Sequence, residues 1–437
     1  MRVVATGWLI AASLLSWAAA AEPALRVEAE FRHYPQLPEP REGGSLALGL
    51  ASTWQDDSGD WQAVGELFGR WDGNDAARTH ADIREAYLQW LGEGREASIG
   101  LRQQVWGVVE SRHLVDILNQ TDFVEDLESE HKLGQPLLQL ALESEDRGRL
   151  DAFLLPYFRE RTFPGPRGQP RVPIPIDESL TRYESPRGRR HLDTALRYQH
   201  RWGGLDWGLS WFSGTAREPT LPICLRQGSG FEGTEDGPRC DLVGLDQQGT
   251  ALTPLLQQLG LAPSDEQARA EVIRNLLVIP VYPQLEQLSL DALWALDRWA
   301  LKLEALQRRR EGERSTAWVA GVEYFIGNAL GSGWNLGLVG ERLRDDRDDL
   351  LSTRFDDEWF AGLRVGFNDR RSSSLLLGLL ADARGRDRVL QLEAQTRPAP
   401  GFRLSMTLRS FDRVPGDELT GFLRNEDGLQ LRLERFF

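Results

Sequence analysis

Two cysteines, six histidines and a tight run of carboxylates are the side chains of this 437-residue chain with the plainest chemical potential. Cys224 and Cys240 sit close together and have no other cysteine to pair with. In an oxidising compartment that arrangement reads as a disulfide. Closing a loop of that size contributes about 3 kcal/mol in the chain-entropy model. Free thiols or half of a metal site are the alternatives, but a metal would need more Cys or His nearby, and there are none. Asp345-Asp346-Arg347-Asp348-Asp349 could offer oxygen ligands to Ca²⁺. No EF-hand spacing surrounds it, so a solvated acidic turn is the better reading. The histidines are His33, His80, His113, His131, His191 and His200. A lipid hydrolase would need one of them beside a Ser and an Asp or Asn. Only His200 falls clearly on an outward strand face, with no Ser motif beside it and no Gly-x-Ser-x-Gly elbow. No catalytic residue, metal or cofactor is expected.

The remaining chemistry lies in charges that alternate with apolar residues. Leu25, Val27, Ala29 and Phe31 alternate with Arg26, Glu28, Glu30 and Arg32. Leu429, Leu431, Leu433 and Phe437 oppose Gln430, Arg432 and Glu434, with Arg435 as an exception. Leu150, Ala152, Leu154 and Phe158 oppose Asp151, Tyr157 and Arg159. Period two sorts residues onto two faces of a strand, whereas a helix would scatter them. The net charge of 51 − 66 = −15 disfavours nucleic acid. Mean hydropathy is −0.41, yet there are 15 Trp. A transmembrane antiparallel up-and-down β-barrel reconciles these figures, because only one face of each strand meets lipid.

About 18 strands are expected, with 16 as the alternative. They begin near residues 25, 44, 61, 82, 96, 136, 149, 191, 204, 284, 297, 315, 333, 356, 373, 387, 401 and 428. Short connections such as Gln55–Gly59, Gly92–Gly94, Gly203-Gly204 and Pro398–Gly401 alternate with longer ones, which belong outside the cell if both termini are periplasmic. Four long insertions stand out: 107–135, 161–189, 216–282 and 412–427. In the third, Ser264-Asp265-Glu266-Gln267 reads as a capping box opening a short helix toward Leu277. That insertion is expected to plug or roof the pore. Residues 1–21 carry Arg2, an apolar run from Val3 to Trp17, and four alanines, the pattern of a cleaved secretory signal. Residues 22–437 then form the barrel. The expected location is the outer membrane of a Gram-negative bacterium, and Phe437 is the expected assembly signal for the barrel-assembly machinery.

The first insertion mixes charged and apolar residues too densely to wave in water, so it is expected to fold inward and constrict the lumen. An external cap is the alternative. Pore-lining or constriction candidates are Arg102, Gln104, Trp106, Glu110, Arg112, His113, Asp116, Asn119 and Asp122, with Glu85, Lys302, Glu304, Glu323 and Arg364 from the wall. Charges lining the wall could set selectivity or brace the strands through cross-strand ion pairs. The sequence leaves both open.

The run Ile83-Arg84-Glu85-Ala86-Tyr87-Leu88-Gln89-Trp90, then Ile99-Gly100-Leu101-Arg102-Gln103-Gln104-Val105-Trp106-Gly107, then Arg112, Asp116 and Asn119, resembles a family of proteobacterial outer-membrane barrel proteins of unknown function. Their pattern is a REAY-like strand, a G-R-Q-x-x-x-W-G strand, and a loop with Arg, Asp and Asn-Pro. Those barrels are distantly similar to the alginate-export type. Tyr282–Ala292, Trp299–Ala305 and Gly331–Leu338 fit the same pattern. Two positions depart from it: Leu101 stands in place of Gly, and Gln120 in place of Pro. The resemblance implies a porin-like role without fixing a solute. The function expected is therefore a channel or export/uptake pore for a polar or amphipathic solute. A plugged, partner-binding barrel is the alternative, and a lipid hydrolase is the weakest of the three. Outer-membrane lipid is the expected surrounding partner.

Overall fold

A computed structural model describes residues 23–437 apart from 127–130, 173, 230–233, 241–258, 260–265, 348–355, 386 and 413–420. The signal-like segment 1–21, Ser264 and Asp265 of the expected capping box, and Asp348 and Asp349 lie outside the described residues.

Period-two patterning produces a single closed sheet. In chain order its strands are β1 (Ala24–His33), β2 (Glu42–Gln55), β3 (Trp61–Asp72), β4 (His80–Gly92), β5 (Arg95–Arg102), β6 (Gln135–Ser144) and β7 (Gly148–Leu155). After a two-residue strand β8 (Arg182–Tyr183) outside the sheet come β9 (Asp193–Trp202) and β10 (Leu205–Thr215). Three short strands, β11 (Ile223–Leu225), β12 (Leu276–Val278) and β13 (Val281–Tyr282), again lie outside it. The wall resumes with β14 (Gln284–Leu296), β15 (Trp299–Arg310), β16 (Glu313–Ile326), β17 (Asn335–Asp345), β18 (Asp357–Gly366) and β19 (Ser374–Asp382). It finishes with β20 (Arg388–Thr396), β21 (Phe402–Asp412) and β22 (Gly428–Phe436). Each of the 18 wall strands pairs antiparallel with its neighbours, and β22 returns to β1 with Glu30 opposite Arg432. Closure leaves no free sheet edge, as spanning a membrane requires. Every wall strand starts within two residues of its expected position.

The outward face carries exposed Leu46, Leu48, Ile99, Leu140 and Leu142, flanked by aromatic belts. Trp61 and Trp71 mark the two belts on β3 and are both exposed. Ten residues separate them. At about 3.3 Å per residue and a tilt near 40°, that is roughly 25 Å along the membrane normal, the height of a lipid-facing band. Arg435, the exception to alternation, sits at the rim. It donates to the Pro400 carbonyl at 2.8 Å and lies over the rings of Phe402 and Phe437.

Two expectations need correction. Phe158 is not on the outward face of β7. That strand ends at Leu155, before Pro156, and Phe158 is buried against Tyr183 and Tyr282. The alternation of short and long connections also breaks at β15–β16 and at β19–β20, where residues 383–387 are no longer than the connections that flank them. β15 and β16 meet on the rim opposite the chain termini through Glu311-Gly312 alone, both at positive φ. The helix α1 spans Glu266–Asn275, two residues short of Leu277, because Leu276–Val278 pairs with Ile223–Leu225 instead. Val272, Leu276 and Val278 form a separate small core with Ile223 and Leu225, and Cys224 is disulfide-bonded to Cys240. This part of the third insertion has its own apolar interior.

Candidate functional site

The segment between β5 and β6 turns into the barrel and is fixed there mainly through its own backbone. Glu304, on the inner face of β15 and fully buried, accepts four backbone N–H groups. Its Oε1 takes Val108 N at 2.7 Å and Val109 N at 3.1 Å, and its Oε2 takes Leu114 N at 2.7 Å and Val115 N at 3.2 Å. Glu341, on β17, accepts from Glu110 N and Ser111 N, each at 2.8 Å. A loop inside a barrel has no strand ladder to satisfy its N–H groups, and leaving them unmet costs about 1–3 kcal/mol each. Wall carboxylates take that role here. Gly107 makes the approach possible. It sits at φ +130°, and a Cβ there would lie 2.7 Å from Glu304 Oε1 and 2.6 Å from His113 Nδ1.

Asn119 plays the same part at the base of the loop. Its Oδ1 accepts from Gln104 N at 2.8 Å, and its Nδ2 donates to the carbonyls of Arg102 and Leu133. Asp122 is buried against Arg84 at 2.5 Å and accepts from Thr162 Oγ1 at 2.7 Å. Glu125 pairs with Arg70 at 2.8 Å, while Arg32 and Arg78 donate to the carbonyls of Glu125 and Val124. Asp116 pairs with Lys132 at 3.1 Å; burial pushes its carboxyl up from the ordinary range, and Lys132 opposes that shift. The apolar residues of the loop dock on the wall. Trp106, Val115, Ile117 and Leu118 pack with Leu137, Phe153, Ala195 and Phe212. Val109 and Leu114 pack with Leu306, Val319 and Leu343.

Along much of the wall, lumenal charges brace the strands. Arg70 reaches Glu28 at 2.7 Å across β2, whose inward Ser45 and Ala47 are small enough to let it pass. Arg432 also reaches Glu28, Arg197 pairs with Asp291, and Lys302 with Glu323, all within 3.2 Å. Gly208 lies between the strands of Arg197 and Asp291. A Cβ there would meet Arg197 Nη2 and Asp291 Oδ1 at 2.8 Å each. For these pairs the bracing reading holds.

The opposite side of the lumen holds a cavity. About 350 Å³ in volume, it runs between the loop tip and β17 to β21. Its far wall carries an apolar strip of Phe360, Leu376, Leu380, Val389 and Phe411, joined by Leu423 from the last connection, beside Glu358, Gln391, Glu393 and Arg409. Its near wall carries Glu110, Arg112, His113, Arg161 and Glu218. Phe360 lies against Gly362 and Gly378, which face each other across β18 and β19; a Cβ on either would meet the ring at 2.9–3.0 Å. Glu218 sits 4.0 Å from each of Arg112, Arg308 and Arg347. Burial alone would raise its carboxyl, but Arg347, Arg112, Arg308 and Arg161 hold it well below the usual carboxylate range.

The expected positions thus divide. Glu110, Arg112 and His113 line the cavity, and Arg364 reaches Glu110 at 2.6 Å from a half-open position. Trp106, Asp116, Asn119 and Asp122 are buried within the docked loop, where they hold its shape. Glu304, Glu323 and Lys302 lie in the wall beneath or beside it. Glu85 accepts from Gln103 N at 3.0 Å, and Arg102 pairs with Glu96 at 3.2 Å. Asp345 of the acidic run is no solvated turn residue. It is buried and paired with Arg347, and with Arg112 at 3.3 Å.

Sequence reading missed Arg84, Arg161, Glu218 and Phe360. Strict alternation puts Arg84 outside whenever Glu85 is inside. A bulge resolves the conflict: Glu66 pairs with Glu85 and Leu67 with Ile83, so Arg84 is extra and turns inward too. Adjacent Arg and Glu in an alternating strand were the available signal. For the docking wall, the signal was apolar residues on both faces, as in Ala152-Phe153-Leu154-Leu155.

No family model matches the chain, and no curated protein is similar to it in sequence. Among solved structures, it is similar to Wzi of Escherichia coli, described as an outer-membrane protein involved in group 1 capsule assembly and a carbohydrate-binding β-barrel. The two are 11% identical with a TM-score of 0.50, covering 98% of this chain and 87% of that one. A mutant Rh. blastica porin is 12% identical with a TM-score of 0.39, covering 95% of this chain and all of the porin. At these identities the likeness concerns the fold, that of bacterial outer-membrane barrels.

Proposed function

We propose that this protein is a porin-like channel of the Gram-negative outer membrane that passes a polar or amphipathic solute. The observation that supports it is the uneven filling of the lumen. The inward loop is pinned to one side by Glu304 and Glu341, and a mixed apolar and charged passage remains on the other. Barrels of 16–18 strands leave an aqueous channel unless loops fill them. In this reading residues 1–21 are removed on export, and Phe437, exposed at the rim just past β22, ends the segment that the barrel-assembly machinery engages. The motif resemblance to the porin-like family and the distant likeness to alginate-export barrels agree with a transport role.

Planar-bilayer recording of the purified mature chain tests the proposal. Discrete, stable channels are expected, and deletion of residues 110–125 should raise their conductance. A silent bilayer from folded protein, or a deletion that leaves conductance unchanged, refutes it. A second reading, a plugged barrel that binds a partner through its loops, draws on the part of the third insertion formed by β11, β12 and α1, with its own core and disulfide. The hydrolase reading has nothing to build on at His200, whose ring packs beside Tyr198 and Trp207.

A further inference from the structure

The passage is two-faced, and its two faces specify one kind of solute. The strip formed by Phe360, Leu376, Leu380, Val389, Phe411 and Leu423 can take nothing from a sugar or a small ion except its exclusion from water. Facing it is Arg161. Its Nε donates to Gln120 Oε1 at 3.2 Å, and its guanidinium lies 5.9 Å from the Phe123 ring. Among the described residues no carboxylate lies within ion-pair distance of Arg161. Glu110, Arg112 and Arg409 of the lining have ion-pair partners. Glu110 is paired with Arg364 at 2.6 Å, and Arg112 with Asp345 at 3.3 Å. Arg409 faces Asp126 at 3.5 Å, and Glu393 accepts from Gln391 at 2.5 Å. Glu358 lies on the far wall and is buried. Arg161 therefore stands on the near wall with no carboxylate among the described residues at ion-pair distance, opposite an apolar strip.

We propose that the solute is an amphipathic anion: an aliphatic body that lies along the Phe360–Leu380–Phe411 strip, and a single anionic head that meets Arg161 beside Glu218. A volume of about 350 Å³ falls within the roughly 300–1,000 Å³ typical of small-molecule sites. This deepens the channel reading and rests on the same cavity, but binding can be measured without conduction.

The test uses the full mature chain in lipid nanodiscs and in planar bilayers, with straight-chain carboxylates from acetate to octanoate as probes. Affinity, read as binding to nanodiscs and as transient block of single channels, should rise about fourfold per methylene as each enters the apolar strip. Octyl sulfate should also bind, and octylammonium should not. Arg161→Gln should weaken octanoate at least tenfold while Arg161→Lys retains most of it. Leu380→Ser should flatten the chain-length series. A silent bilayer with saturable, Arg161-dependent octanoate binding would remove the channel and keep this inference. Conducting channels with a flat chain-length series, with preference for octylammonium, or with binding indifferent to Arg161→Gln would overturn the inference and keep the channel.

Discussion

Replacing Glu304 with Gln is the sharpest perturbation of the inward loop. The carboxylate takes two N–H donors on each oxygen, at 2.7 and 3.1 Å and at 2.7 and 3.2 Å. A glutamine of the same shape keeps one acceptor oxygen and turns an NH₂ toward the other two donors. Two charge-assisted hydrogen bonds are lost, at about 1.5–3 kcal/mol each, or about 3–6 kcal/mol in all. At about 1.4 kcal/mol per decade, the undocked population of the tip rises about 10²- to 10⁴-fold. Asn119, Asp122 and Glu125 still hold the base of the loop, so release is confined to the tip around 108–115. Amide hydrogen exchange of that segment in the refolded barrel reads the effect directly. Single-channel conductance and open-channel noise should rise with it. Wild-type exchange rates at 108–115 in a Glu304→Gln barrel that retains its folded gel mobility would refute the reasoning.

Three further outcomes follow from the same geometry. Arg197→Leu leaves Asp291 buried and unpaired and should cost about 3–5 kcal/mol in urea unfolding from lipid, while Arg197→Leu with Asp291→Leu should recover most of it; a double variant as unstable as the single one would contradict the bracing role. Reducing Cys224–Cys240 should loosen this part of the third insertion by about 3 kcal/mol and expose residues 226–239 to protease, with the barrel's thermal transition unmoved. Burial raises the Glu426 carboxyl from 4.5 to about 7, against the N–H of Arg171. Because its folded value lies above the unfolded one, its stabilising contribution is full below about pH 4.5 and is lost as pH rises toward 7. Protection of residues 423–427 should therefore fall across that window, and Glu426→Gln should abolish the trend.

The wall was legible because strand alternation is set residue by residue, and lipid enforces it along the whole circumference. Leu429, Leu431 and Leu433 announce a strand without help from any distant residue. The interior was legible only in part. Glu304 could be placed on the inner face, but not its four partners, because they are backbone groups of a loop some 190 residues away. Arg84 was hidden by a bulge whose extra residue leaves no compositional trace. Arg161 and Glu218 come from two long insertions without periodicity. They meet only because Arg217, next to Glu218, donates to the Leu118 carbonyl at 2.9 Å and Arg161 reaches Gln120.

The uneven bracing has a mechanical consequence. From β1 to β17 the cylinder is cross-tied by buried ion pairs and backed by a docked loop, while β18 and β19 meet the lumen with Phe360, Gly362, Leu376, Gly378 and Leu380. A hoop stiffened over most of its girth deforms at the unstiffened arc. Breathing of the cross-section is thereby concentrated on the side that bears the cavity. The width of the cavity is set by the soft sector, and the position of the charges by the hard one.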